Sequence, residues 1–69
     1  MNIEDYRIKL GWSQAELARR ANIDINTLKR AINGERVFKH TVGAIATALS
    51  RGLGQDINYH DLDDVNVKD

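Results

Sequence analysis

Asn26 and Arg30 stand four residues apart, with Thr27 and Lys29 between them and Asn33, Arg36 and Lys39 following. On a helix, a four-residue step puts Asn26 and Arg30 on one face. An amide and a guanidinium so placed match the hydrogen-bonding edges of adenine and guanine, and the neighbouring Ile25 matches a thymine methyl. The basic residues around them supply what phosphate contact requires. The plain structural reading of Lys29 and Arg30 is a solvated helix face. For Ile25 it is an apolar residue filling the first turn of a helix.

Other chemistry finds little to work with. His40 and His60 are the only histidines, there is no cysteine, and neither a nucleophile–base pair nor a glycine-rich phosphate loop is evident. We therefore expect no enzyme activity, no cofactor and no metal. His40 has no partner at metal-ligand spacing and reads as a surface residue near phosphate. Asp61, Asp63 and Asp64 lack the glycine and terminal glutamate of a calcium loop and read as part of an acidic, solvated tail. The 10 basic and 10 acidic residues cancel overall, but not locally. Residues 11–40 hold six basic residues (Arg19, Arg20, Lys29, Arg30, Arg36, Lys39) against Glu16, Asp24 and Glu35, a balance of +3. Residues 54–69 hold five aspartates against Lys68, a balance of −4. A basic face with an acidic tail suits a polyanion partner. No apolar run reaches membrane-spanning length, and the charged start MNIEDYRIKL does not read as a signal peptide; a cytoplasmic protein is expected.

The elements that position these residues lie between Ser13 and Gly34, SQAELARRANIDINTLKRAING. Ser13 caps a helix, with Glu16 three residues on to complete a capping box. Leu17, Ala18 and Ala21 form a narrow apolar stripe. Asn22 tolerates the left-handed conformation that ends a helix. Ile23 drops into the turn, and Asp24 or Asn26 caps the next helix, about Ile25–Ile32, which buries Leu28, Ala31 and Ile32. Asn33-Gly34 ends it. A helix, a tight turn and a second helix is the layout that places the second helix in a DNA major groove.

Around this unit, residues 3–10 read as a first helix with Ile3, Tyr6 and Leu10 on one side, Ile8 off that line, and Gly11 at its end. Arg7 has two equal readings, a local pair with Glu4 and a phosphate contact. Trp12, just before the Ser13 cap, reads as the outer half of a hydrophobic staple against Leu17. Residues 35–40 read as a connecting loop or irregular helix start in which one of Val37 and Phe38 closes the core and the other is exposed at an interface. A fourth helix, roughly Lys39 to Ser50, buries Val42, Ile45, Ala46 and Leu49, with Gly43, Ala44 and Ala48 allowing close approach. The glycines of residues 51–56 mark a break, residues 57–62 a short fifth helix with Ile57 and Leu62 inward. From Asp63 the chain reads as a short strand or frayed tail. The expected division is a DNA-binding domain over residues 1–62 and an acidic tail over 63–69.

The segment resembles the helix-turn-helix of the phage repressor and Cro-like (Xre) family, through Ser13-Gln14, Leu17-Ala18, Ile23, Leu28 and Asn33-Gly34, over roughly residues 3–50. Two positions depart from it: Asn22, where the family usually has glycine, and Ile32, where it often has an acid. The resemblance implies an all-α, five-helix lambda-repressor-like fold and a sequence-specific transcription regulator of double-stranded DNA. Repression is the expected mode, because little in the chain goes beyond the DNA-binding unit. By position it assigns base reading to Ile25, Asn26, Thr27 and Arg30, and backbone contact to Gln14 and Asn33, with Lys29, Arg36 and Lys39 as further cations along the backbone. Paired half-sites, about one helical turn or roughly 34–36 Å apart, imply a homodimer at least on DNA. Its surface would include Leu53, Tyr59, Val65 and Val67. The alternative class is a protein-interaction module of the same fold, an antitoxin or a protein that binds another regulator.

Overall fold

Asn2 starts the first helix. Its side chain accepts the Asp5 N–H at 2.8 Å while the Asp5 carboxylate accepts the Asn2 N–H at 3.1 Å, so two otherwise orphaned amides are satisfied. In the computed structural model, which describes residues 1–63 and 65–68, this helix (α1) spans Ile3–Leu10 and ends at Gly11 with φ 74°. Helix α2 spans Gln14–Ala21, α3 Ile25–Ile32 and α4 Lys39–Leu53. A short strand, β1 (Arg36–Phe38), precedes α4, and a second, β2 (Asn66–Lys68), closes the described chain.

The link between α2 and α3 is as tight as the sequence demands. Ser13 Oγ accepts the Glu16 N–H at 3.0 Å. The reciprocal half of the expected capping box is replaced, because the Glu16 carboxylate turns outward to Arg19 and Arg20. Asn22 is left-handed (φ 57°, ψ 44°), the only non-glycine with positive φ among the described residues. Asp24 then caps α3 by accepting the Asn26 N–H at 2.9 Å.

Leu17, Leu28, Val42, Ile45 and Leu49 are fully buried where α2, α3 and α4 meet, and Ile3 of α1 joins them. Removal of these aliphatic surfaces from water is what drives the helices together. Helix α4 runs past the expected break at residue 51 and ends at Gly54 (φ 68°). Gly52 lies within it for a packing reason: a Cβ there would meet Trp12 Cη2 at 2.5 Å and Cζ2 at 2.8 Å. Close approach therefore occurs at Gly52, whereas nothing lies within 4 Å of a Cβ built at Gly43. The Arg20 guanidinium lies over the Trp12 ring, 4.4 Å from its centroid.

Two expectations need correction. The described residues hold four α-helices and not five, since residues 57–62 form only one 3-10 turn, Tyr59–Asp61. Asn58 and Asp61 close that turn on itself through a capping box, and Leu62 (φ −96°, ψ 108°) already leads the chain out as extended backbone. Ile57 and Leu62 are buried as expected. The fold is also not purely helical. Residues 36–38, expected in a connecting loop or irregular helix start, form β1, paired in parallel with β2 in the register Arg36–Asn66, Val37–Val67, Phe38–Lys68. Parallel strands need a long crossover, and α4 provides it. The return path is pinned by Ser50, whose Oγ accepts the Ile57 N–H at 2.9 Å and lies 2.8 Å from the Ile57 carbonyl oxygen. Asp64 and Asp69 of the expected acidic tail fall outside the described residues.

Candidate nucleic-acid interface

Helix α3 sorts its residues by radial position. Leu28 and Ala31 are buried, Ile25, Thr27 and Ile32 half-buried, and Asn26, Lys29, Arg30 and Asn33 exposed. The last four follow one another at steps of three, one and three residues, which makes a single polar stripe on the solvent side. Lys29 and Arg30 make no ion pair among the described residues. The helix ends at Asn33 (φ −80°, ψ 3°), and Gly34 (φ 80°) turns the chain into β1.

On β1 the side chains alternate: Val37 is buried, Arg36 and Phe38 face out. This strand lies along α3, and between them runs an open cleft of 220 Å³ lined by Thr27, Arg30, Arg36, Val37, Phe38 and Thr41. Arg30 and Arg36, from different elements, thus share one recess. The Phe38 ring stacks on His40 with centroids 5.5 Å apart and planes 13° from parallel. Lys39 leans the other way, its Nζ 5.3 Å from the centre of the Tyr59 ring.

The residues at the start of α2 are placed differently. Arg7 donates from Nε and Nη2 to both Glu4 oxygens, at 2.7 and 2.8 Å, and from Nη1 to the Trp12 carbonyl at 2.7 Å. Of the two readings of Arg7, the local pair is the one present. The Arg7 hydrogen bond holds the Glu4 carboxyl below its ordinary value, with a smaller contribution from the Gln14 amide. Gln14 is half-buried at this junction, apart from the α3 stripe. Farther along α2, Arg19 and then Arg20 hold the Glu16 carboxyl below its ordinary value, so both cations of that helix are answered by one acid.

Sequence reasoning placed Arg30, Thr27 and Arg36 near one another only by analogy of position; the cleft is where they meet. It left open which of Val37 and Phe38 is exposed, read His40 as a surface residue without its stacking on Phe38, and did not foresee Thr41 in the lining of the recess. The strand alternates in burial, exposed–buried–exposed, but because Phe38 is apolar the sequence carries no polar–apolar alternation that could have announced it. Ile32, where the family often has an acid, is half-buried and lines a 30 Å³ recess with Asn2, Ile3 and Glu4.

A family model described as helix-turn-helix matches residues 3–57, which covers all four α-helices. The protein belongs to the Xre/Cro-like helix-turn-helix family. That family binds double-stranded DNA and is not a family of enzymes. No curated protein and no solved structure gives a match. Among the described residues, no helix is long and apolar enough to cross a membrane.

Proposed function

We propose that this helix-turn-helix protein is a sequence-specific transcription regulator that represses by occupying its site, with α3 in the major groove. The observation that carries this reading is the exposed stripe Asn26–Lys29–Arg30–Asn33, whose cations have no acid partner among the described residues while those of α2 are paired within the molecule. Base edges fall to Ile25, Asn26, Thr27 and Arg30, Ile25 with only the outer part of its half-buried side chain. Lys29, Asn33 and Arg36 follow the backbone, with Gln14 and Lys39 at its margins. The protein acts in the cytoplasm as a homodimer on DNA. Leu53, Tyr59, Val65 and Val67 already pack partly against their own core, so each lends the dimer its remaining surface.

Selection of bound fragments from random duplexes tests specificity, followed by titration of the selected and a scrambled duplex at low and high salt. We expect a selected sequence with two-fold symmetry, a clear preference for it, and affinity falling steeply with salt. Sedimentation should give two chains per short operator at saturation. Uniform weak binding with no enriched sequence would instead favour the protein-interaction reading.

A further inference from the structure

Phe38 breaks two local rules at once. It is the N-cap of α4, a position where serine, threonine, aspartate or asparagine stabilises a helix by accepting one of its first amides, and a phenyl ring provides no such bond. It also leaves half of its large apolar surface in water, with 51% exposure. A residue that costs stability in both ways without filling the core marks a site where something other than folding has set the side chain. Its surroundings say what that is. Phe38 borders the cleft that holds Thr27 and Arg30 of the reading helix and Arg36 of β1, and its ring is held flat on His40.

We propose that the Phe38 ring, steadied by His40, packs against a deoxyribose of the bound duplex while Arg36, beside it in the cleft, holds the adjoining phosphate. The proposal rests on the DNA-binding reading above. Charge selects the occupant: Arg30 and Arg36 share the cleft with the ring, and residues 29–39 hold four basic residues with Glu35 as the one acid in that stretch, so a second copy of this face would be repelled and a polyanion attracted. Position selects the sugar over a base. The N-terminal end of a recognition helix enters the groove deepest. β1 follows the C-terminal end of α3, where the sugar–phosphate backbone passes. A cationic recess with an aromatic rim matches a sugar–phosphate unit, charged on one side and bearing C–H groups on the other.

The test is the variant Phe38→Ser, which supplies the missing cap. Its melting temperature should rise by a few degrees. Its affinity should fall on the order of tenfold on selected and scrambled duplexes alike, with the salt slope unchanged because no charge is lost. By contrast, Arg36→Ala should flatten that slope by about 0.9. A second arm scans the operator with tetrahydrofuran abasic sites, which keep the sugar ring, and with propanediol spacers, which lack it. Wild type should show one backbone position per half-site where only the spacer weakens binding, and Phe38→Ser should lose that sensitivity. Undiminished binding by Phe38→Ser would overturn the proposal while leaving the DNA-binding reading intact. A loss confined to the selected duplex would overturn it in favour of base contact. Loss of the dimer in sedimentation would overturn it in favour of a self-interface. Failure of the wild type to bind any duplex would remove both readings together.

Discussion

Helices α2 and α3 are both eight residues long, both begin at a capping side chain, and both bury a leucine completely. They differ in what they do with charge. On α2, Glu16 receives Arg19 and Arg20, and Arg20 in turn lies over Trp12. At its start, Gln14 and Arg7 converge on Glu4. On α3, the cap Asp24 accepts a backbone amide, and Lys29 and Arg30 face solvent with no acid partner among the described residues. A cation already satisfied inside the molecule has less to gain from a phosphate than one that is not. The charged groups of α2 hold the scaffold, and those of α3 face solvent, where the proposed function needs them.

The comparison holds only if the buried halves of the two helices are equivalent, which gives the largest expected effect. Leu17→Ala and Leu28→Ala should each destabilise by about 2–5 kcal/mol, since both side chains are fully enclosed. Denaturant titration measures this, and a mild effect at one of them would mean that its helix is loosely held. Next in size is the split in DNA binding. Asn26→Ala and Arg30→Ala should cost about 1–3 kcal/mol on the selected duplex and little on a scrambled one, whereas Arg20→Ala should change neither appreciably. Equal losses on both duplexes would show that α3 is not the reading element.

The turn that sets one helix against the other depends on Asn22. Asn22→Gly should be tolerated and Asn22→Val should destabilise by more than about 1 kcal/mol, because a β-branched residue resists φ 57°. Equal melting temperatures would contradict the left-handed turn. The smallest effect concerns the polar junction of α1 and α2. The folded Glu4 carboxyl titrates below its ordinary 4.5, so its contribution is present above that value and is lost as pH falls through the lower folded value. Glu4→Gln should therefore melt below wild type at neutral pH by an amount worth under about 1 kcal/mol, and the two melting curves should converge in acid. A gap that persists in acid would mean that Glu4 acts by packing and not by its charge.

Local rules determined a good part of this protein. The caps at Ser13 and Asp24, the left-handed Asn22, the stripe of Leu17, Ala18 and Ala21, and the exposed polar face of α3 all follow from interactions within a few residues, which is why the helix-turn-helix was legible in the chain. The same rules misjudged the region after Gly34. Three residues such as Arg36–Phe38 have no strand of their own to form until β2 arrives from the far end of the chain, and that pairing has no local signature. Gly52 reads as a helix breaker until Trp12, forty residues earlier in the numbering, takes the space that a side chain would fill. Charge behaved likewise: the balance of residues 11–40 was visible as a sum, but only the folded geometry decided that Glu16 answers the arginines of α2 and that, among the described residues, those of α3 and β1 go without an acid. Periodicity and capping act along the chain and can be read there. Pairing, close approach and the sharing of one acid among several bases depend on which distant segments meet, and those are settled by tertiary structure.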